Sequence, residues 1–359
     1  MPMNSEAGER DGAALKVQGL EALSGNAYSA ETRSKAQSPT IYRRLINILG
    51  PCLGLLLVIT LFSLSSTIRP YFLTGANFKI ILTQTVIVAT GTLGMTIIIV
   101  SGGIDLSVGS VVALTSVVGA IALVKGHSAL MAVCLALAVG VGIGLLNGLV
   151  IGGLRMMPFI VTLGMMGVAR GIAKWLSGNE TVSSPDSPIN HIMELQDPMH
   201  LFPVPLGVWI TLGLALAMAV IMRNTVFGRY IFALGTNEAA ARLCGIRVQL
   251  QKTIIYTVAG LFFGLAGLMQ LSRLTQGDPT VAIGLELDII AAVVIGGASL
   301  NGGVGSIAGS MIGALTMAIL RNGSNQMGWP TYMQEIIIGI VIIIAVGVDK
   351  LRQRGRKAG

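Results

Sequence analysis

Charge is the scarcest property of this sequence. Asp, Glu, Lys and Arg make up 11% of its 359 residues, less than half the share usual in soluble domains. So few charges cannot cover a water-soluble surface, and a 53% hydrophobic content with mean hydropathy +0.78 points to lipid. Cysteine and histidine are nearly absent as well. Cys52, Cys134 and Cys244, and likewise His127, His191 and His200, show neither metal-ligand spacing nor a disulfide framework. No G-x-x-x-x-G-K-[ST] occurs, so a phosphate-cradling loop for a nucleotide is missing from this chain. The net charge of +8 does not indicate nucleic acid, because the basic residues sit in tails and loops between apolar runs. Membrane orientation explains that distribution better.

What the sequence has in quantity is hydrophobic runs and glycine. Ten apolar segments, bounded by polar, Gly or Pro residues, lie near 45–66, 78–100, 107–124, 129–151, 159–177, 205–222, 252–271, 287–299, 304–320 and 333–348. The expected fold is all-α, a polytopic membrane protein of about ten transmembrane helices occupying 45–348. The eighth segment is too short for a straight crossing and must be tilted, broken or extended. Residues 1–44 read as a polar cytoplasmic tail, and residues 349–359 as a basic one. The first run begins too far in, and is too long, for a cleaved signal peptide. With both termini inside, 17 of the 24 lysines and arginines fall in inner tails and loops and seven on or near the outside. That asymmetry sets the orientation.

The chain is organised around Val100-Ser-Gly-Gly-Ile-Asp-Leu-Ser-Val-Gly-Ser110, a glycine-rich break carrying one carboxylate. A charge in hydrocarbon costs about 2.5–3.5 kcal/mol on insertion scales. Asp105 is therefore either in a turn at the membrane surface or in a polar pocket inside the bundle. With Ser107, Ser110, Asn147 and Gln270 it is the candidate for a translocation path or gate. A faint echo at Gly296-Gly-Ala-Ser-Leu300 is either a duplication remnant or chance. Buried acids are otherwise few: Glu335 opens the last segment, and Asp278, Glu286 and Asp288 are expected in an exposed outer loop with no nucleophile. An uncharged solute rich in hydroxyls or amides fits better than ion coupling.

Two loops are long, an outer one at 178–205 and an inner one at 223–252. In the inner loop Asn237 can cap a helix, Glu238 complements its dipole, and Ala239 and Ala240 favour it. Arg242 suits the last turn and Gly245 supplies a stop. About eight helical residues are expected, too few to persist without a packing partner. Glycines recur at a four-residue period in Gly140, Gly144 and Gly148 and in Gly305, Gly309 and Gly313. Each set lies on one helix face and predicts close helix packing.

The segments Gly102–Ser110 and Gly228-Arg-Tyr-Ile-Phe-Ala-Leu-Gly-Thr-Asn-Glu-Ala-Ala-Ala-Arg-Leu-Cys-Gly-Ile246 resemble those of the bacterial ABC-importer permeases for ribose, xylose, arabinose and galactosides. The resemblance covers about 45–348. It implies a permease subunit in the bacterial inner membrane, paired with a second copy or paralogue and fed by a periplasmic sugar-binding protein. ATP and Mg would be bound by a separate cytoplasmic ATPase, and this chain would hold no cofactor. The helix near 237–245 is then similar to the family's coupling helix. The rival readings are a facilitator working without ATP and an intramembrane enzyme, for which no paired acid and base are evident.

Overall fold

A computed structural model describes the backbone of residues 41–195 and 203–357, and the side chains of 50–195, 203–347 and 350. The expectations for residues 1–40 lie outside the described residues, as do those for 196–202 in the outer loop. The chain is helical almost throughout: α1 (Ile41–Ser63), α2 (Arg69–Phe72), α3 (Gly75–Val100), α4 (Val108–Val124), α5 (Ala129–Gly153), α6 (Pro158–Ser177), α7 (Leu206–Asn224), α8 (Val226–Thr236), α9 (Glu238–Leu243), α10 (Val248–Leu274), α11 (Leu285–Ile295), α12 (Ile307–Gln326) and α13 (Thr331–Lys357). Each of the ten apolar segments falls on one of these helices. Five of them, α3, α5, α6, α7 and α10, are long and apolar enough to cross a membrane.

The centre is α3, every residue of which from Thr85 to Val100 is buried. It is apolar all round, as a helix enclosed by others must be. Around it pack α10, α12, α11 and α7, and α10 in turn lies along α5 and α4. The α5–α10 contact is the closest. A Cβ on Gly144 would meet the backbone at Tyr256 and Gly260, and one on Gly140 would meet Gly260 and Gly264. Gly148 faces the Thr253 backbone, and the Thr253 hydroxyl donates to the Gly148 carbonyl at 3.1 Å. In the second stripe Gly309 and Gly313 pack against Gly296 and Ala292 at the preceding helix, but Gly305 is not on the same helix as expected: α12 begins at Ile307, and Gly305 sits in the linker against Val100 and Ala298.

The linkers sort to two ends. At one end the Gly303 N–H donates to the Val100 carbonyl at 2.8 Å, and a side chain at Gly235 would strike both. The segments following α3, α8 and α11 therefore share that end. At the other end Val182–Ser183 (β1) pairs antiparallel with Gln276–Gly277 (β2), tying the 178–205 loop to the end of α10.

The shortness of the eighth segment has a physical reason. After β2 the chain turns back along α4: a Cβ on Gly277 would meet Ser116 and Val117, and one on Gly109 would meet the Ala282 carbonyl and the Glu286 carboxylate. The helix α11 thus starts deep in the bundle. Ile289 and Val108 both lie against Gly91, which is nine residues, or about 13 Å, from the end of α3. Glu286 and Asp288 consequently lie on α11 and not in an exposed loop as expected, while Asp278 stays, half-buried, in the loop before it. Glu286 is half-buried and Asp288 is buried.

Candidate functional site

Residues 101–107 form the break; its turn, with Gly102 exposed, lies at the end shared with the other linkers, and Asp105 and Ser107 beyond it are buried. The end of α3 closes through hydrogen bonds from Gly102 N–H to the Ile99 carbonyl and from Gly103 N–H to the Ile98 carbonyl, both 2.9 Å. Gly102 takes a left-handed φ of 86°, which a glycine adopts without steric cost. The chain then climbs back into the bundle, where the Tyr256 and Thr162 hydroxyls each donate to the Ile104 carbonyl at 3.4 Å.

Asp105 is 1% exposed. One of its oxygens accepts from the Ser107 backbone N–H at 2.7 Å and from the Ser107 hydroxyl at 2.6 Å. The other accepts from Asn147 Nδ2 at 3.3 Å, and the same amide reaches the Ser107 hydroxyl at 3.2 Å. This network joins the break to α5 and holds the start of α4. A buried carboxylate needs such partners, because a stranded buried polar group costs about 1–3 kcal/mol. The linker before α11 repeats the arrangement: Asp278 accepts from the Thr280 N–H and hydroxyl, each at 2.7 Å.

Of the five candidate path residues, three meet in this network. Ser110 is buried one turn along α4, its hydroxyl unpartnered among the described residues. Gln270 lies fourteen residues beyond Tyr256 on α10, about 21 Å away, and belongs elsewhere. All five side chains are interior to the single chain.

The 223–252 loop carries a six-residue helix, α9, where about eight residues were expected. Asn237 Oδ1 accepts from the Ala240 N–H at 3.0 Å, and the chain leaves the helix through Gly245 at φ 83°. Ala239, Ala240, Arg242, Leu243 and Gly245 are exposed, Leu243 at 90%. Glu238 accepts from Arg242 at 3.1 Å and from Lys252 at 2.7 Å. The Lys252 hydrogen bond, reinforced by both positive charges, holds its carboxyl below the usual range. Since Lys252 stands in the first turns of α10, the small helix is fastened to the helix most deeply engaged with α5 and α3.

Sequence reasoning passed over a set of arginines. Arg170 on α6 donates to the Pro279 and Val281 carbonyls at 2.8 and 2.7 Å. Arg321 on α12 pairs with Asp288 at 2.5 Å. Their signal was present, since an arginine within or at the end of an apolar run needs a partner or a wet surface. Two clefts also open among the described residues. One, of about 630 Å³, involves Arg223, Arg229, Phe232 and Ser306. The other, of about 460 Å³, involves Gln84, His191, Glu194 and Arg273.

An all-helical bundle with a polar break in its interior, glycine-mediated helix contacts and an exposed helical tip defines a polytopic membrane protein. Its family follows from comparison with known proteins. The model of the branched-chain amino acid transport system / permease component family matches residues 77–346, and the chain belongs to that family. It is 43% identical over 307 residues to the ribose import permease protein RbsC of Escherichia coli K12, covering 84% of this chain and 94% of that one. It is 33% identical over 306 residues to the L-arabinose ABC transporter permease protein AraH of Azospirillum brasilense (85% and 89%). With the fructose import permease protein FrcC of Rhizobium meliloti the identity is 31% over 353 residues (96% and 98%). No solved structure matches the chain.

Proposed function

We infer that this chain is the membrane permease subunit of an ATP-binding-cassette importer that brings a monosaccharide into the cytoplasm. The observation that carries the reading is similarity to sugar permeases over more than four-fifths of the chain. The family description names branched-chain amino acids, but relatives matched over more than four-fifths of this chain are named as ribose, L-arabinose and fructose permeases, and they carry the substrate class.

The finer picture is ten spans with both termini inside the bacterial inner membrane. Its support is the alternation of linkers between two ends and the 17-to-7 distribution of basic residues. A cytoplasmic ATPase binds ATP and Mg, a periplasmic sugar-binding protein delivers solute, and two permease copies or paralogues enclose the path. The helix α9 sits against the ATPase through Ala239, Ala240, Arg242 and Leu243. ATPase closure pushes this tip, and the Glu238–Lys252 tie passes the displacement to α10. Asp105, Ser107 and Asn147 keep the break rigid while the surrounding helices rock.

Uptake of radiolabelled D-ribose, L-arabinose and D-fructose into proteoliposomes holding the permease and its ATPase, supplied with binding protein, tests the reading. ATP-dependent accumulation of at least one sugar is expected. Accumulation by the permease without any ATPase overturns it in favour of a secondary transporter.

A further inference from the structure

Most exposed helix faces of this chain are apolar. The helix α13 presents Tyr332, Met333, Ile336, Ile340, Ile343 and Ile344, and α1 presents Leu53, Leu56, Leu57 and Leu61. Such faces suit hydrocarbon. One exposed region differs, where α6 runs beside the turned-back linker and the start of α11. There Arg170, Asp278 and Glu286 are all half-buried, with Arg170 bonded to the Pro279 and Val281 carbonyls between the two acids in sequence and within electrostatic reach of each. Glu286 lies at about the depth at which α4 begins, its carboxylate resting on Gly109, whereas Asp278 follows Gly277, which packs at Ser116 and Val117 about two turns further along α4.

Charged groups half-open to hydrocarbon at that depth are costly, so they face water or a partner. Arg170 spends one terminal nitrogen on two backbone carbonyls. It makes no ion pair with Glu286 among the described residues. Glu286 is steadied by backbone N–H groups at the start of α11, its own and that of Gly284. Thr280 fixes only one oxygen of Asp278. A guanidinium and two carboxylates held apart, each with unused hydrogen-bonding capacity, suit a ligand whose groups both donate and accept. A hydroxyl is such a group.

We propose that Arg170, Glu286 and Asp278 form a recognition site for the hydroxyls of a neutral polyol or sugar in the membrane-embedded wall of the path. The guanidinium donates to a sugar oxygen, and the carboxylates accept from neighbouring hydroxyls. No proton need be transferred. This assignment rests on the permease reading, and it places solute contact on the open α6–α11 face rather than on the interior Asp105 network.

Two measurements on the assembled permease, ATPase and binding-protein complex test it. In the first, Ile283, 72% exposed beside the site, is replaced by Cys in a chain whose Cys52, Cys134 and Cys244 are Ser. Labelling by a membrane-impermeant maleimide, slowed by D-ribose, L-arabinose or D-fructose, is expected. Absence of labelling in a complex that still imports sugar means the face meets lipid, and overturns the site while leaving the permease reading intact. In the second, Glu286→Gln and Arg170→Gln are compared with Glu286→Asp and Arg170→Lys. The neutral variants are expected to lower sugar moved per ATP hydrolysed at least about tenfold, as loss of a charged hydrogen bond does. Binding-protein-stimulated hydrolysis should persist, with partial recovery in the charge-retaining pair. Unchanged sugar per ATP in the neutral variants refutes the proposal. Failure of the wild-type complex to import any of the three sugars refutes the permease reading instead.

Discussion

Lys252 Nζ lies 2.7 Å from the Glu238 carboxylate and bonds the six-residue helix α9 to the first turns of the long helix α10. Exposed ion pairs are worth only about 0.2–1 kcal/mol, so this one contributes little to stability. Under the proposed coupling it instead fixes the direction in which the tip pushes. Lys252→Met or Glu238→Gln should leave the thermal midpoint nearly unchanged while sharply reducing sugar moved per ATP. Parallel melting and transport assays check this; a coupled loss in both would assign the pair to folding instead.

The same carboxylate sets a pH dependence. Its folded pKa is depressed, chiefly by the Lys252 hydrogen bond. Its stabilisation is therefore complete above the ordinary glutamate value of about 4.3 and is lost as pH falls through the lower folded value. Exchange of amide hydrogens in α9 should accelerate below about pH 4 in the native chain. In Glu238→Gln that acid-induced acceleration should be absent.

Histidine chemistry on the other side has the opposite sign. His191 contacts Glu194 at 2.8 Å and Asp186 at 3.7 Å, and the Glu194 hydrogen bond raises its pKa. The stabilisation of the 178–195 segment is full below the ordinary histidine value of about 6.5 and is lost as pH rises through the raised one. Limited proteolysis of that segment should quicken from pH 6 to 8, and His191→Gln should flatten the response.

Glycine spacing separates packing from filler. Gly144→Ala puts a methyl into the Tyr256 carbonyl and should cost about 1–3 kcal/mol as α5 is forced off α10. Gly142 has open space, and Gly142→Ala should be neutral or stabilising by up to about 1 kcal/mol. Melting of the two purified variants gives the answer, and equal midpoints would refute the close-contact explanation.

For Asp105, alanine and asparagine should part company. Asp105→Ala strands the Ser107 N–H and the Ser107 hydroxyl proton, at about 1–3 kcal/mol for each group left unpaired, and leaves the Asn147 amide only its bond to the Ser107 hydroxyl. Asp105→Asn keeps an oxygen for Ser107, and Asn147 can turn its amide so that its unpartnered Oδ1 accepts. The asparagine variant should therefore melt close to wild type, and the alanine variant well below it. If the two melt alike, the hydrogen-bond network does not hold the break.

The helical order of this chain was readable because lipid leaves few alternatives: each apolar run falls on a helix. The cap at Asn237 and the stop at Gly245 were equally readable, being local chemistry. Depth was not. Nothing in Val100–Ser110 says that the turn stays at the end of the bundle while the start of α4 lies about 13 Å along α3, because that depends on Gly91, Tyr256 and Asn147 arriving from elsewhere. The same blindness put Glu286 and Asp288 in an exposed loop, when the chain after Gly277 in fact folds back along α4. Arg170 and Arg321 were counted for orientation, and their partners, distant in sequence, could not be named.

The depth at which α11 begins bears on how the protein is made. Eleven residues are too few to halt a nascent chain in the bilayer unaided. Its place in the bilayer therefore depends on the helix behind it, α12, whose Gly309 and Gly313 close on Gly296 and Ala292.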